Sequence, residues 1–147
     1  MRSGDRIGGD IKRAELELMA AKSAAVRPAG LTVPQYSALL ALSDHPGAPA
    51  AELARLCLVT PQTMTTILQN LVAMGLVDRT PHQWQRNVLE NRLTEAGYAK
   101  FREADKGAVA VEQKLADAFT EEERTQLRAL LQRCSAVLSD GQPGRSA

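Results

Sequence analysis

Gln62, Thr66 and Gln69 recur at helical spacing, flanked by Thr63, Thr65 and Asn70, so one face of a short segment is polar, small and uncharged. A carboxamide sets a donor beside an acceptor. That pair matches the N7 and N6 edge of adenine, and a threonine methyl can meet the methyl of thymine. A solvated helix face has the same composition, so this pattern alone leaves both readings open. Positive charge nearby is limited to Arg55, Arg79, Arg86 and Arg92, set against Glu52, Asp78 and Glu90 between positions 50 and 94. Arg55, Arg79 and Arg86, with His82 as a phosphate contact and Thr60 ahead of the segment, complete the candidate DNA-binding set. His45 and His82 are too isolated to begin a metal site. There is no nucleophile motif or phosphate loop, and neither an enzyme nor a cofactor is expected.

The elements that must position these residues follow from caps and breakers. Thr60-Pro61 is a cap followed by proline in the first turn, and Gly75 closes the helix it opens. Met64, Ile67, Leu68, Leu71 and Val72 form its inward side. A short helix from Ala50 to Leu58, presenting Leu53, Ala54, Leu56 and Cys57, precedes it and gives a helix-turn-helix. Leu76–Arg79 suits a strand. Residues 88–93 stay ambiguous: Asn87 and Glu90 could form a capping box, but only six residues remain before a cap at Thr94. If they form a strand, the segment is a hairpin whose polar tip holds Arg86. Such a wing directly after the polar helix favours DNA binding over a merely solvated face, because a wing carries arginine to a minor groove.

Long helices flank this lobe. The first runs from about Asp10 to Arg27, with Ile7, Ile11, Ala14, Leu18, Ala21 and Ala25 on one stripe, and Pro28-Ala29-Gly30 stops it. Thr32, followed by Pro34 and Gln35, starts a second that ends at His45-Pro46-Gly47. A helix from Glu95 to about Ala118 puts Phe101, Ala104, Ala108, Val111 and Leu115 on one face. Thr120 and Glu123 box the start of the last, whose stripe is Leu127, Leu130, Leu131, Cys134, Val137 and Leu138. The expected fold is mainly α with a small β-wing, a winged helix-turn-helix carrying N- and C-terminal dimerisation helices. One domain spans 1–147: helices 7–30 and 95–139, a lobe at 31–94, and disordered ends at 1–6 and 140–147.

Composition bounds the rest. The 147 residues are 44% hydrophobic, 24% charged and 3% aromatic. The core must therefore be built from Ala, Leu, Val and Met, which suits helices. The net charge of +1 does not itself announce nucleic acid. No apolar run is long enough for a membrane span or a signal peptide, and two cysteines are too few for a disulfide framework, so a cytoplasmic protein is expected.

Residues 31–97 resemble the multiple antibiotic resistance regulator (MarR) family. The resemblance rests on Leu31-Thr32 with Gln35, Glu52-Leu53-Ala54, the helix from Thr60 to Leu71, Gly75-Leu76-Val77-Asp78-Arg79, and Leu93-Thr94-Glu95-Ala96-Gly97 in that order. It implies a homodimer with interlocked terminal helices and a recognition helix in the major groove of a pseudo-palindromic operator. It also implies a wing in the minor groove and a repressor released by a small apolar or aromatic effector or by oxidation. The sequence departs from the family pattern in two places. Gln85 stands where the wing often has aspartate, and residues 60–74 carry no charge, although the family's recognition helix usually has Arg or Lys. An uncharged helix also fits a second class, a winged-helix protein-interaction module without DNA binding.

Trp84 falls in the wing, where it could pack on a sugar-phosphate backbone or fold back on the domain. Cys57 and Cys134 are expected as buried thiols. The family's peroxide sensors place a reactive cysteine near the N-terminus, where this chain has none, so that activity is not carried over.

Overall fold

The computed structural model describes residues 1–140; the part of the expected disordered tail beyond Asp140 lies outside them. The described residues form two compact units, one spanning Met1–Val111 and one beginning at Glu112. The helices are α1 (Gly8–Val26), α2 (Val33–Asp44), α3 (Ala50–Leu56), α4 (Pro61–Ala73), α5 (Glu95–Asp117) and α6 (Glu121–Ser139), with strands β1 (Val77–Pro81) and β2 (Leu89–Leu93) between α4 and α5. A 3-10 turn at Ser3–Asp5, with no buried residue, occupies the segment expected to be disordered.

The caps form where the polar residues foretell them. Thr32 Oγ1 accepts the Gln35 N–H at 3.3 Å while Gln35 Oε1 accepts the Thr32 N–H at 3.0 Å, a reciprocal box that opens α2. Thr120 and Glu123 repeat it at α6. Thr60 caps α4 by accepting the Thr63 N–H at 3.1 Å. Residues 88–93 resolve as strand. The N–H of Thr94 donates to the Leu76 carbonyl at 3.0 Å and its hydroxyl accepts the Gly97 N–H at 2.9 Å, so Thr94 closes the hairpin and caps α5 together. A second cap at Asn87 has no room to form. The hairpin is antiparallel, with Val77 opposite Leu93, Arg79 opposite Asn91 and Pro81 opposite Leu89.

The core of the first unit is aliphatic. Leu39, Leu42, Leu53, Met64, Leu68, Leu71 and Val77 are fully buried, with Val26, Tyr36 and Phe101 beside them. Tyr36 stacks on Phe101 and its hydroxyl donates to Asp105 Oδ1 at 2.6 Å, joining α2 to α5. Two expected inward residues are exposed instead, Leu56 at the end of α3 and Val72 near the end of α4. Both lie off the buried face that Leu53 and Leu71 occupy in the same turns. β1 is shifted from Leu76–Arg79 to Val77–Pro81. In α5, Phe101, Ala104 and Ala108 are buried as the stripe predicts, but Leu115 is exposed. The second unit holds the end of α5 and all of α6, where Arg124 Nη1 donates to the Ala116 carbonyl at 3.1 Å. No residue of α6 is buried.

Gly97 is required by a close approach. A side-chain carbon there would overlap the Leu76 carbonyl, a backbone atom held by its bond to Thr94. In an exposed helix Gly→Ala stabilises, by up to about 1 kcal/mol. Gly97→Ala is expected to destabilise by about 1–3 kcal/mol through overpacking. Urea unfolding of the two proteins reads the sign directly, and a stabilised variant would contradict the packing.

Candidate nucleic-acid interface

The two faces of α4 are separated by burial. Met64, Ile67, Leu68 and Leu71 are buried; Gln62, Thr63, Thr66, Gln69 and Asn70 are exposed, and Thr65 is half-buried. Their hydroxyls are partly committed. Thr65 Oγ1 donates to the Pro61 carbonyl at 3.0 Å and Thr66 Oγ1 to the Gln62 carbonyl at 3.3 Å. With that proton bonded to the helix, each threonine offers a ligand its methyl and a lone pair. Thr60 Oγ1 bonds to Thr63 Oγ1 at 2.9 Å, so both hydroxyls belong to the cap. The carboxamides of Gln62, Gln69 and Asn70 are the groups on this face suited to base edges.

Arg55 is exposed on α3, and Arg86 is exposed at the wing tip. Arg79 corrects the expectation. It shares the inward parity of Val77 on β1, and its Nε is buried with no hydrogen-bond partner among the described residues. Strand alternation sends it toward the lobe, away from the outward set.

The wing is fastened at two levels. At its base Asn91, fully buried on β2, donates from Nδ2 to the Ala48 carbonyl at 2.9 Å, and its own carbonyl accepts the Gly47 N–H at 2.9 Å. Both partners lie in the turn between α2 and α3. Gly47 has φ +86°, and a side chain there would meet the Arg92 guanidinium. At the tip, the His82 N–H donates to the Val88 carbonyl at 2.7 Å. His82 Nδ1 accepts two backbone N–H groups, Trp84 at 3.1 Å and Gln85 at 3.2 Å. The proton of the neutral ring is therefore on Nε2, which lies 3.6 Å from Glu90 Oε1. Arg92 Nη1 bonds the other Glu90 oxygen. That bond holds the Glu90 carboxyl below its ordinary range, against a smaller opposing effect of desolvation. His82 thus serves the wing's own backbone through Nδ1.

Sequence reasoning missed Asn91, and with it the roles of Glu90 and Arg92 in the wing. A signal existed for the first: Asn91 shares parity with Leu89 and Leu93, so a polar residue poor at forming strands sits in an inward position. Cys57 caps the end of α3, and burial pushes its thiol above the ordinary value, which disfavours the reactive thiolate. Cys134 is half-buried on α6.

The helix-turn-helix with its wing has counterparts of known kind. The MarR family model matches residues 29–84. The HTH-type transcriptional repressor Rv2887 of Mycobacterium tuberculosis is 34% identical over 111 residues, covering 76% of this chain and 80% of that protein. The chain belongs to the MarR family. It is a winged helix-turn-helix transcription regulator. Among solved structures, the repressor CouR bound to a 23-mer DNA duplex superposes with a TM-score of 0.81 at 27% identity, covering 90% of this chain and 94% of that one. Rv2887 in complex with DNA gives a TM-score of 0.68 at 32% identity, covering 88% and 97%. Rv2887 is also solved with p-aminosalicylic acid, with a TM-score of 0.67 at 32% identity, covering 88% and 98%.

The Asn91 clamp is testable apart from any ligand. Asn91→Ala leaves the Ala48 carbonyl buried and unpaired, at a cost of about 1–3 kcal/mol. The variant is expected to lose that much in denaturant unfolding and to exchange the amides of β1 and β2 faster than those of α4. Equal protection of the strands in both proteins would show that the wing is held by something else.

Proposed function

We propose that this MarR-family chain binds double-stranded DNA as a homodimer, with α4 in the major groove and the wing against the minor groove, and that a small apolar or aromatic effector lowers its affinity. The observation that carries the reading is the exposed carboxamide face of α4 on the same lobe as an arginine-tipped hairpin. The DNA complexes of Rv2887 and CouR support it. The p-aminosalicylic and salicylic acid complexes of Rv2887 support an aromatic effector. Acting on DNA, the protein works in the cytoplasm as a repressor, and regulation rather than catalysis is its task. No helix among the described residues is long and apolar enough to cross a membrane.

The dimer follows from uncovered apolar faces. On α1, Ile11, Leu16 and Met19 are exposed, as is Ile7 just ahead of it; on α6, Leu127, Leu130, Leu131, Val137 and Leu138 are exposed. Stripes of this kind mark an association surface. Two-fold pairing sets two recognition helices about one turn of DNA apart, roughly 34–36 Å or a multiple, so the operator is a pseudo-palindrome. Val137→Glu together with Leu130→Glu is expected to yield monomers by light scattering and to abolish tight DNA binding while far-UV circular dichroism stays helical. A double variant that stays dimeric places the interface elsewhere.

Selection of bound fragments from random-sequence duplex tests DNA binding and yields the operator. Salt titrations then separate the two elements. Arg86→Ala is expected to weaken binding to all duplexes and to make the plot of log affinity against log salt shallower by about 0.9 for each phosphate no longer neutralised. Gln69→Ala keeps the wild-type slope and loses about 1–3 kcal/mol of discrimination at one base pair. If no duplex is enriched and low salt brings no binding, the DNA reading fails and the interaction-module reading replaces it.

A further inference from the structure

The wing tip carries the chain's single tryptophan, and Trp84 is 82% exposed. It does not fold back on the lobe. An indole carries a large apolar face together with an N–H donor, and this one is left open to a partner. Its backbone is nevertheless held: the Trp84 N–H is one of the two that His82 Nδ1 accepts, and the Gln85 N–H beside it is the other. Two residues further on is Arg86, also exposed. The loop thus presents an indole and a guanidinium from one histidine-organised turn. Glu90, whose carboxylate faces that histidine, is already bonded to Arg92.

We propose that Trp84 is a DNA-contacting residue that packs its indole on the sugar and base edges of the minor groove, and that His82 is the positioning residue that holds the turn presenting it. The proposal rests on the DNA reading above. The occupant is a nucleic-acid groove because the neighbouring charge is positive and the wing continues the interface begun by α4. An indole gives apolar contact area that Arg86 cannot supply, in a protein whose recognition helix contributes no cation. Apolar side chains entering a minor groove gain from surface removed from water and from partial stacking. Neither gain depends on counterion release, so the contribution of Trp84 is independent of salt.

Because Trp84 is the only tryptophan, its fluorescence reports this site alone. The test uses the full chain and the duplex enriched by the selection described above, end-labelled so that anisotropy reports binding separately. In the free protein acrylamide quenches the emission freely. On the saturated duplex the quenching is expected to fall several-fold. Trp84→Ala is expected to bind about tenfold more weakly with an unchanged salt slope, and Trp84→Phe to recover most of the loss. His82→Ala is expected to weaken binding and leave the indole accessible on the duplex. His82→Asn, whose carboxamide oxygen can accept the same two N–H groups, restores both. A duplex bound by anisotropy with Trp84 still freely quenched overturns the proposal, as does Trp84→Ala binding like wild type, or quenching already suppressed in the free protein. Equal behaviour of His82→Ala and wild type overturns the positioning role. If anisotropy shows no binding of any duplex, the DNA reading and this proposal fall together.

Discussion

A two-stranded hairpin is not stable by itself in water. The wing of this protein has two strands of five residues and no third among the described residues, so its geometry depends on what its base is tied to. The tie is Asn91. One carboxamide and one backbone carbonyl join β2 to the α2–α3 turn, through Ala48 and Gly47. At the open end of the hairpin, just past Leu93, Thr94 bonds to Leu76 and Gly75 and starts α5. From those fixings the strands run on to the 82–88 turn, whose direction they set. The carboxamide donor of the clamp is buried with its partner, while Asn91 Oδ1 is buried without one among the described residues. Losing either partner of that bond would add a further buried unpaired group.

Charge is distributed in an unusual way for a DNA-binding lobe. α4 contributes none, Arg79 turns inward, and Arg92 is bonded to Glu90. Arg55 and Arg86 remain as exposed cations, on opposite sides of the recognition helix in sequence. Under the proposed DNA reading, the electrostatic part of affinity would rest on α3 and the wing, and α4 would read base edges with neutral groups. This separation makes the two contributions distinguishable by salt. It also explains why the net charge of +1 carried no signal: a few placed arginines matter to the groove, and their sum does not.

The helices and caps were legible because they depend on neighbours in sequence. Thr32 with Gln35, Thr60 with Pro61, and Thr120 with Glu123 are local devices, and each forms at the residue expected. The β2 segment was not legible. Asn87 to Glu90 satisfies a helical cap locally, and the decision for strand comes from Thr94 bonding to Leu76, a contact across the hairpin that periodicity does not encode. The same limit applies at the site. The outward face of α4 follows from spacing, but the roles of His82 and Arg79 follow from tertiary surroundings. Isolated histidine in a polar loop suggests a ligand contact, yet its acceptor nitrogen is taken by the loop's own amides. Arg79 shares the face of Val77 by strand alternation, and the burial of its Nε comes from the lobe packed against that face.

How an effector could act on such a lobe is constrained by its packing. The buried side of α4 meets a core that includes Leu39 and Leu42 of α2 and Leu53 of α3, all fully enclosed. α2 is in turn held to α5 by the Tyr36–Asp105 bond and the stacking of Tyr36 on Phe101. Gly107 lets α5 approach the Ala25 carbonyl of α1 so closely that a side chain would not fit. Cores packed at this density shift between discrete arrangements and do not deform continuously. A ligand that altered α4 alone would have to break this packing. A ligand that moved the lobe as one body would leave it intact and change only the separation of the two recognition helices in a dimer. The second route costs less, so under the proposed effector reading a ligand would change the spacing between half-sites and preserve the reading surface of each lobe.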